Sequence, residues 1–107
     1  MGHGRNDPST LILTSLASGP KHGYALQQDI AGFTGTVLGP GTLYGAIGRL
    51  EQRGLIEPVG ASGRKQPYQL TAAGAEVLQA TLGELRTIVE VGTSRLTGLP
   101  GIVESPA

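Results

Sequence analysis

The chain has 107 residues, eight basic against eight acidic side chains, no cysteine and no tryptophan. That length holds one small domain, and about a quarter of it is Leu, Ile, Val or Phe, enough for a modest core that a partner subunit would help to cover. The missing cysteine excludes disulfides, a thiolate nucleophile and a zinc–thiolate site, and the zero net charge argues against a strongly basic nucleic-acid coat.

Residues 1–7 read as a flexible leader. Arg5 ahead of Leu11-Ile12-Leu13 has the outline of a secretion signal, but Asp7-Pro8 and Thr14-Ser15 break a very short apolar run. No stretch approaches the ~20 apolar residues of a membrane span, so the expectation is a cytoplasmic protein. Asp7-Pro8 starts a first helix, Asp capping free amides and Pro occupying the first turn. Leu11, Ile12, Leu13, Leu16 and Ala17 form its apolar stripe, and Gly19-Pro20 stops it. A second helix spans His22 to Ala31 with Leu26 and Ile30 on its buried edge, and Gly32 and Gly35 end it. A third opens at Pro40-Gly41-Thr42 and closes at Gly54. Leu43, Ile47 and Leu50 share one face, leaving Gly41, Gly45, Gly48, Arg49 and Gln52 on the other.

After Gly54 the period changes from helix to strand. Residues 55–59 and 66–70 read as two short strands around a tip, residues 60–65, that carries Arg64 and Lys65. Pro58 and Pro67 lack ladder donors, so the pair is an edge ribbon. Thr71 caps a last helix to Leu96. Leu78, Leu82, Leu85, Val89, Gly92 and Leu96 repeat there at steps of four and three, a heptad seam that Val77 and Ile88 widen. Residues 97–107 read as a disordered tail.

Three helices, a two-stranded β-wing and a long last helix define a mainly α fold. It is a winged helix-turn-helix over residues 8–70, with a C-terminal dimerisation helix over residues 71–96. Residues 1–70 carry net +2 and residues 71–107 net −2, so neutrality hides a basic front and an acidic back. The third helix is the candidate reader: Thr42, Tyr44 and Gly45 at its entering end, then Arg49 for guanine or phosphate and Gln52 for adenine. Gly45 and Gly48 either let backbone approach DNA closely or are tolerated on an exposed helix face. Arg64 and Lys65 suit a wing on phosphate, against the plain alternative of a solvated hairpin pair. His22, at the start of the second helix, donates to a phosphate, caps or packs. Tyr24 and Tyr68 read first as packed rings with outward hydroxyls. No serine–histidine–aspartate or phosphate-loop pattern occurs, and the two histidines lack acidic partners at ligand spacing. The expectation is a protein that is not an enzyme and holds no metal or cofactor.

Several stretches resemble the PadR family of transcriptional regulators: Gly19-Pro20-Lys21-His22-Gly23-Tyr24, Gly41-Thr42-Leu43-Tyr44, Arg49-Leu50-Glu51 with Gly54-Leu55-Ile56-Glu57, and Tyr68-Gln69-Leu70-Thr71 with Gly74. They keep order and spacing over residues 9–96. The resemblance implies a homodimer on a roughly palindromic double-stranded DNA operator, repressing neighbouring genes and released by a small-molecule effector. It is similar to the short subfamily, whose single C-terminal helix forms the dimer interface; here that interface would hold Leu78, Leu82, Leu85, Ile88, Val89, Gly92 and Leu96. The expected DNA contacts are His22, Tyr24, Thr42, Tyr44, Gly45, Arg49, Gln52, Arg64 and Lys65. Gly45 stands where the family often has a larger or basic residue, which shifts weight to Thr42, Tyr44, Arg49 and the wing. Without tryptophan, a Trp-lined ligand slot does not carry over. The competing expectation is a winged-helix protein-interaction or ligand-sensing module without specific DNA binding.

Overall fold

A computed structural model describes residues 7–60 and 65–101. The elements run α1 (Pro8–Leu16), α2 (Gly23–Thr34), α3 (Pro40–Gln52), β1 (Ile56–Pro58), β2 (Tyr68–Leu70) and α4 (Ala72–Thr97). The fold is mainly helical with one two-stranded antiparallel sheet, the winged helix-turn-helix order expected from the sequence. The leader up to residue 6, the wing tip at residues 61–64 and the tail beyond residue 101 lie outside the described residues.

α1 is the centre of the core. Leu11, Ile12, Leu13 and Leu16 are all buried, and they meet Leu26 and Ile30 of α2 and Leu43, Ala46, Ile47 and Leu50 of α3. The expected stripe on α3 is therefore the buried one, with Ala46 added to it. Asp7 departs from its expected role: its side chain makes no capping hydrogen bond, and the helix start rests on Pro8 in the first turn and the Asp7 carbonyl accepting from Leu11 N at 3.1 Å.

α2 runs three residues beyond the expected end at Ala31. Gly32 is accommodated inside the helix, and the stop is Gly35, whose φ of 79° places it in the left-handed region while its N–H donates to Ala31 O at 2.8 Å. Thr34 reinforces this last turn by donating from Oγ1 to Ile30 O.

The ribbon pairs Ile56 with Leu70, Glu57 with Gln69 and Pro58 with Tyr68. Each strand is shorter than expected because Pro58 and Pro67 interrupt the ladder. Val59 N still donates to Pro67 O, and the Gln66 amide spans the two arms through Val59 O and Gly60 O. Tyr68 has a second neighbour that the sequence did not suggest. Lys21 bridges it, with Lys21 N donating to Tyr68 O and Tyr68 N to Lys21 O at 2.9 Å. The link between α1 and α2 is thereby fastened to the wing.

α4 is tied to the body at its first turns. Thr71 caps it, accepting from Gly74 N at 3.0 Å, and donates from Oγ1 to Gly54 O at 2.7 Å. Gly74 lies so close to β1 that a Cβ there would collide with the carbonyl oxygen of Leu55. Leu78 is 6% exposed and belongs to the protomer's own core. From Leu82 onward every described residue of α4 is exposed. No helix among the described residues is long and apolar enough to cross a membrane.

Candidate nucleic-acid interface

The N-terminus of α2, the exposed face of α3 and the base of the wing meet in an open cleft of about 170 Å³. It is lined by His22, Gly23, Tyr24, Tyr44, Lys65, Gln66 and Tyr68. Four of the expected contact residues, His22, Tyr24, Tyr44 and Lys65, are therefore brought together. Thr42, Gly45, Arg49 and Gln52 line the exposed face of α3 beyond the cleft. Arg64 falls outside the described residues.

His22 caps α2. Its Nδ1 accepts from Ala25 N at 3.3 Å, and its backbone O accepts from Leu26 N. A neutral imidazole that accepts through Nδ1 carries its proton on Nε2, so His22 brings a donor to the cleft while it caps. The amides of Gly23 and Tyr24 lie in the first turn of α2, where intrahelical acceptors do not exist. A helix start with free amides and a partial positive charge favours anions.

The packed position expected for Tyr24 is corrected: on the first turn of α2 it is 63% exposed and lies outside the core. Tyr68 is half-buried against the core. That burial pushes its phenol above the ordinary value of 10.0, with the Glu51 carboxylate and Tyr44 adding smaller upward contributions, so it remains a neutral donor. Tyr44 is 55% exposed, and the end of its ring lies against the backbone of Gly23.

Lys21 is absent from the free cations of this face. Its Nζ donates to Ser15 O and Ser18 Oγ at the carbonyl end of α1, where Ser15 O also accepts from Ser18 N and Ser18 Oγ. Ser15, buried, in turn donates to Asp29 Oδ2 at 2.6 Å. Among the described residues the reader and wing then hold Arg49, Arg53 at the C-cap of α3, and Lys65. Arg49 folds back along α3, its Nη1 within 3.5 Å of where a Gly45 Cβ would stand. Gly41 and Gly48 face open space.

Charge, exposure and shape here define a winged helix-turn-helix protein whose third helix and wing share one outer surface. Residues 12–80 match the transcriptional regulator PadR-like family, and the chain belongs to that family. A transcriptional regulator from Clostridium thermocellum superposes with a TM-score of 0.72 at 27% identity, covering 81% of this chain and 87% of its own. A PadR family transcription regulator from Clostridium difficile gives 0.73 at 25%, covering 85% and 99%. A 37.1 kDa protein in transposon TN4556 of Streptomyces fradiae is 49% identical over 74 residues, 69% of this chain but 21% of that protein. The chain therefore spans about a fifth of that relative's length.

Proposed function

We propose that this PadR-like transcriptional regulator is a cytoplasmic, homodimeric DNA-binding repressor. In this reading α3 enters the major groove of a palindromic operator, the wing and the start of α2 rest on phosphates, and a small-molecule effector releases the complex. The observation that carries it is the bare second half of α4. Leu82, Leu85, Ile88, Val89 and Leu96 are all exposed along a helix that leaves the body of the protomer. Most of a helix's stability in a protein comes from packing an apolar face, and this stripe has no cover within its own protomer. A second copy supplies that cover with the same stripe, an isologous contact of the kind that closes a twofold dimer. Leu78 contributes by holding the root of the helix to its own core, and Gly92 lets the two backbones approach.

A twofold dimer presents two readers, and two half-sites about one DNA turn apart, 10–10.5 base pairs, follow from that symmetry. Sedimentation of the full chain at micromolar concentration tests the arrangement: a dimer is expected, and a monomer removes the basis for paired half-sites.

The near-neutral front, net +2 over residues 1–70, favours a second reading in which the winged face binds protein. Titration of the chain against the DNA upstream of its own gene at low salt separates the two. Sequence-specific retention supports the repressor, and its absence supports the protein-binding module.

A further inference from the structure

Tyr44 stands on α3 between Thr42 and Gly45, among the residues that a reader helix turns toward base edges. Its ring leans toward α2, and its hydroxyl end lies over Gly23, the first residue of that helix. A Cβ added at Gly23 would collide with the hydroxyl and come within 2.7 Å of Cζ and 2.8 Å of Cε1. Gly23 does not have a positive φ, so the backbone does not require glycine there. What the missing side chain provides is the seat for Tyr44. The residues around that seat are His22, Tyr24, Lys65 and Tyr68, and no carboxylate lines the cleft among the described residues. Lining side chains of donor type from α2, α3 and the wing suit one phosphodiester group.

We propose that Tyr44 is a backbone-anchoring residue, seated by Gly23, whose hydroxyl donates to a DNA phosphate in this cleft, and that base discrimination on α3 falls to Thr42, Arg49 and Gln52. The assignment rests on the DNA-binding reading above and divides labour within it. Gly23 is a positioning residue that acts through Tyr44. A phosphate contact carries no base information, so losing it weakens binding to every sequence alike. A lost base contact weakens the operator alone.

The test uses the full chain with two duplexes, the DNA upstream of its own gene and a scramble of the same length and composition. Affinities are read by fluorescence anisotropy at one fixed salt concentration. Tyr44→Phe removes only the hydroxyl and is expected to weaken both duplexes by the same factor, about tenfold, leaving their ratio unchanged. Gly23→Ala unseats the ring and is expected to reproduce that loss, with the Gly23→Ala, Tyr44→Phe double variant no weaker than either single one. Arg49→Ala is expected to lower the ratio. A Tyr44→Phe variant that binds both duplexes like the wild type, or that changes the ratio, overturns the assignment even if Gly23→Ala fails to fold. An additive double variant overturns the role given to Gly23. Wild-type protein that binds neither duplex removes the DNA-binding reading first and this assignment with it.

Discussion

Gly45 and Gly48 illustrate how a residue can be explained by what does not surround it. Both are exposed on α3, and nothing in the body of the protein requires their lack of a side chain. Glycine inside a helix costs about 1 kcal/mol relative to alanine, so Gly48→Ala is expected to raise stability by up to that amount in a denaturant titration. A fall in operator affinity in the same variant would mean the bare face meets DNA closely; unchanged affinity would mean the glycines are simply tolerated. Gly74 is the opposite case. Its Cβ would run into the Leu55 carbonyl, which is backbone and cannot swing aside, so Gly74→Ala is expected to cost several kcal/mol, read as a lowered melting temperature. Tyr68 adds a pH dependence. Its folded pKa is raised, so its contribution to stability is complete below about pH 10 and declines as the pH rises above the unfolded phenol's value, where the unfolded chain loses the proton first. Substitution by Phe should flatten that alkaline decline.

At the scale of elements, local signals reported the start of α4 and the apolar faces of α1 and α3 faithfully. Thr71 is a cap because its hydroxyl reaches Gly74 N, a contact three residues away that sequence spacing encodes. Thr71→Ala removes both that bond and the one to Gly54 O, and is expected to cost about 1–2 kcal/mol in equilibrium unfolding. Other features depend on partners far along the chain and left no local mark. The sequence reading ended α2 at Ala31, ahead of Gly32 and Gly35, whereas the helix continues through Gly32 and stops at Gly35, which takes the left-handed φ. Lys21 enters the sequence only as one charge of the basic front, yet it closes the end of α1 and pairs with Tyr68, 47 positions later. Tyr24 looked like a packing residue because ring size is visible in a sequence and direction is not. The heptad periodicity on α4 was legible, but periodicity alone does not say that Leu78 is claimed by the protomer's own core while Leu82 to Leu96 are left open. That division makes a clean experiment. A chain ending at Ala80 keeps Gly74 and Leu78 in place and loses the open stripe, so it should fold and sediment as a monomer. A tight dimer from that chain would place the interface elsewhere.

For the whole molecule, the balance of eight charges against eight acquires a direction. The winged part holds the net positive charge and α4 the negative, and pairing two copies through α4 would double the basic front. That front is thin, because residues 1–70 carry only net +2. Non-specific attraction to phosphate should accordingly be weak, and binding should depend on two readers engaging together more than on bulk charge. Each wing cation removed is expected to lower the slope of log affinity against log salt by about 1, so an Arg64→Ala, Lys65→Ala pair should lower it by about 2. Four of the nine expected contacts, His22, Tyr24, Tyr44 and Lys65, converge on one cleft. What the sequence could not supply was their arrangement, above all the seat that Gly23 makes for Tyr44. The measurement that bears most directly on the central claim is the stoichiometry of the complex by native mass spectrometry, with the duplex upstream of the gene. The account predicts two chains on one duplex; a single chain per duplex, or no complex at all, would contradict it.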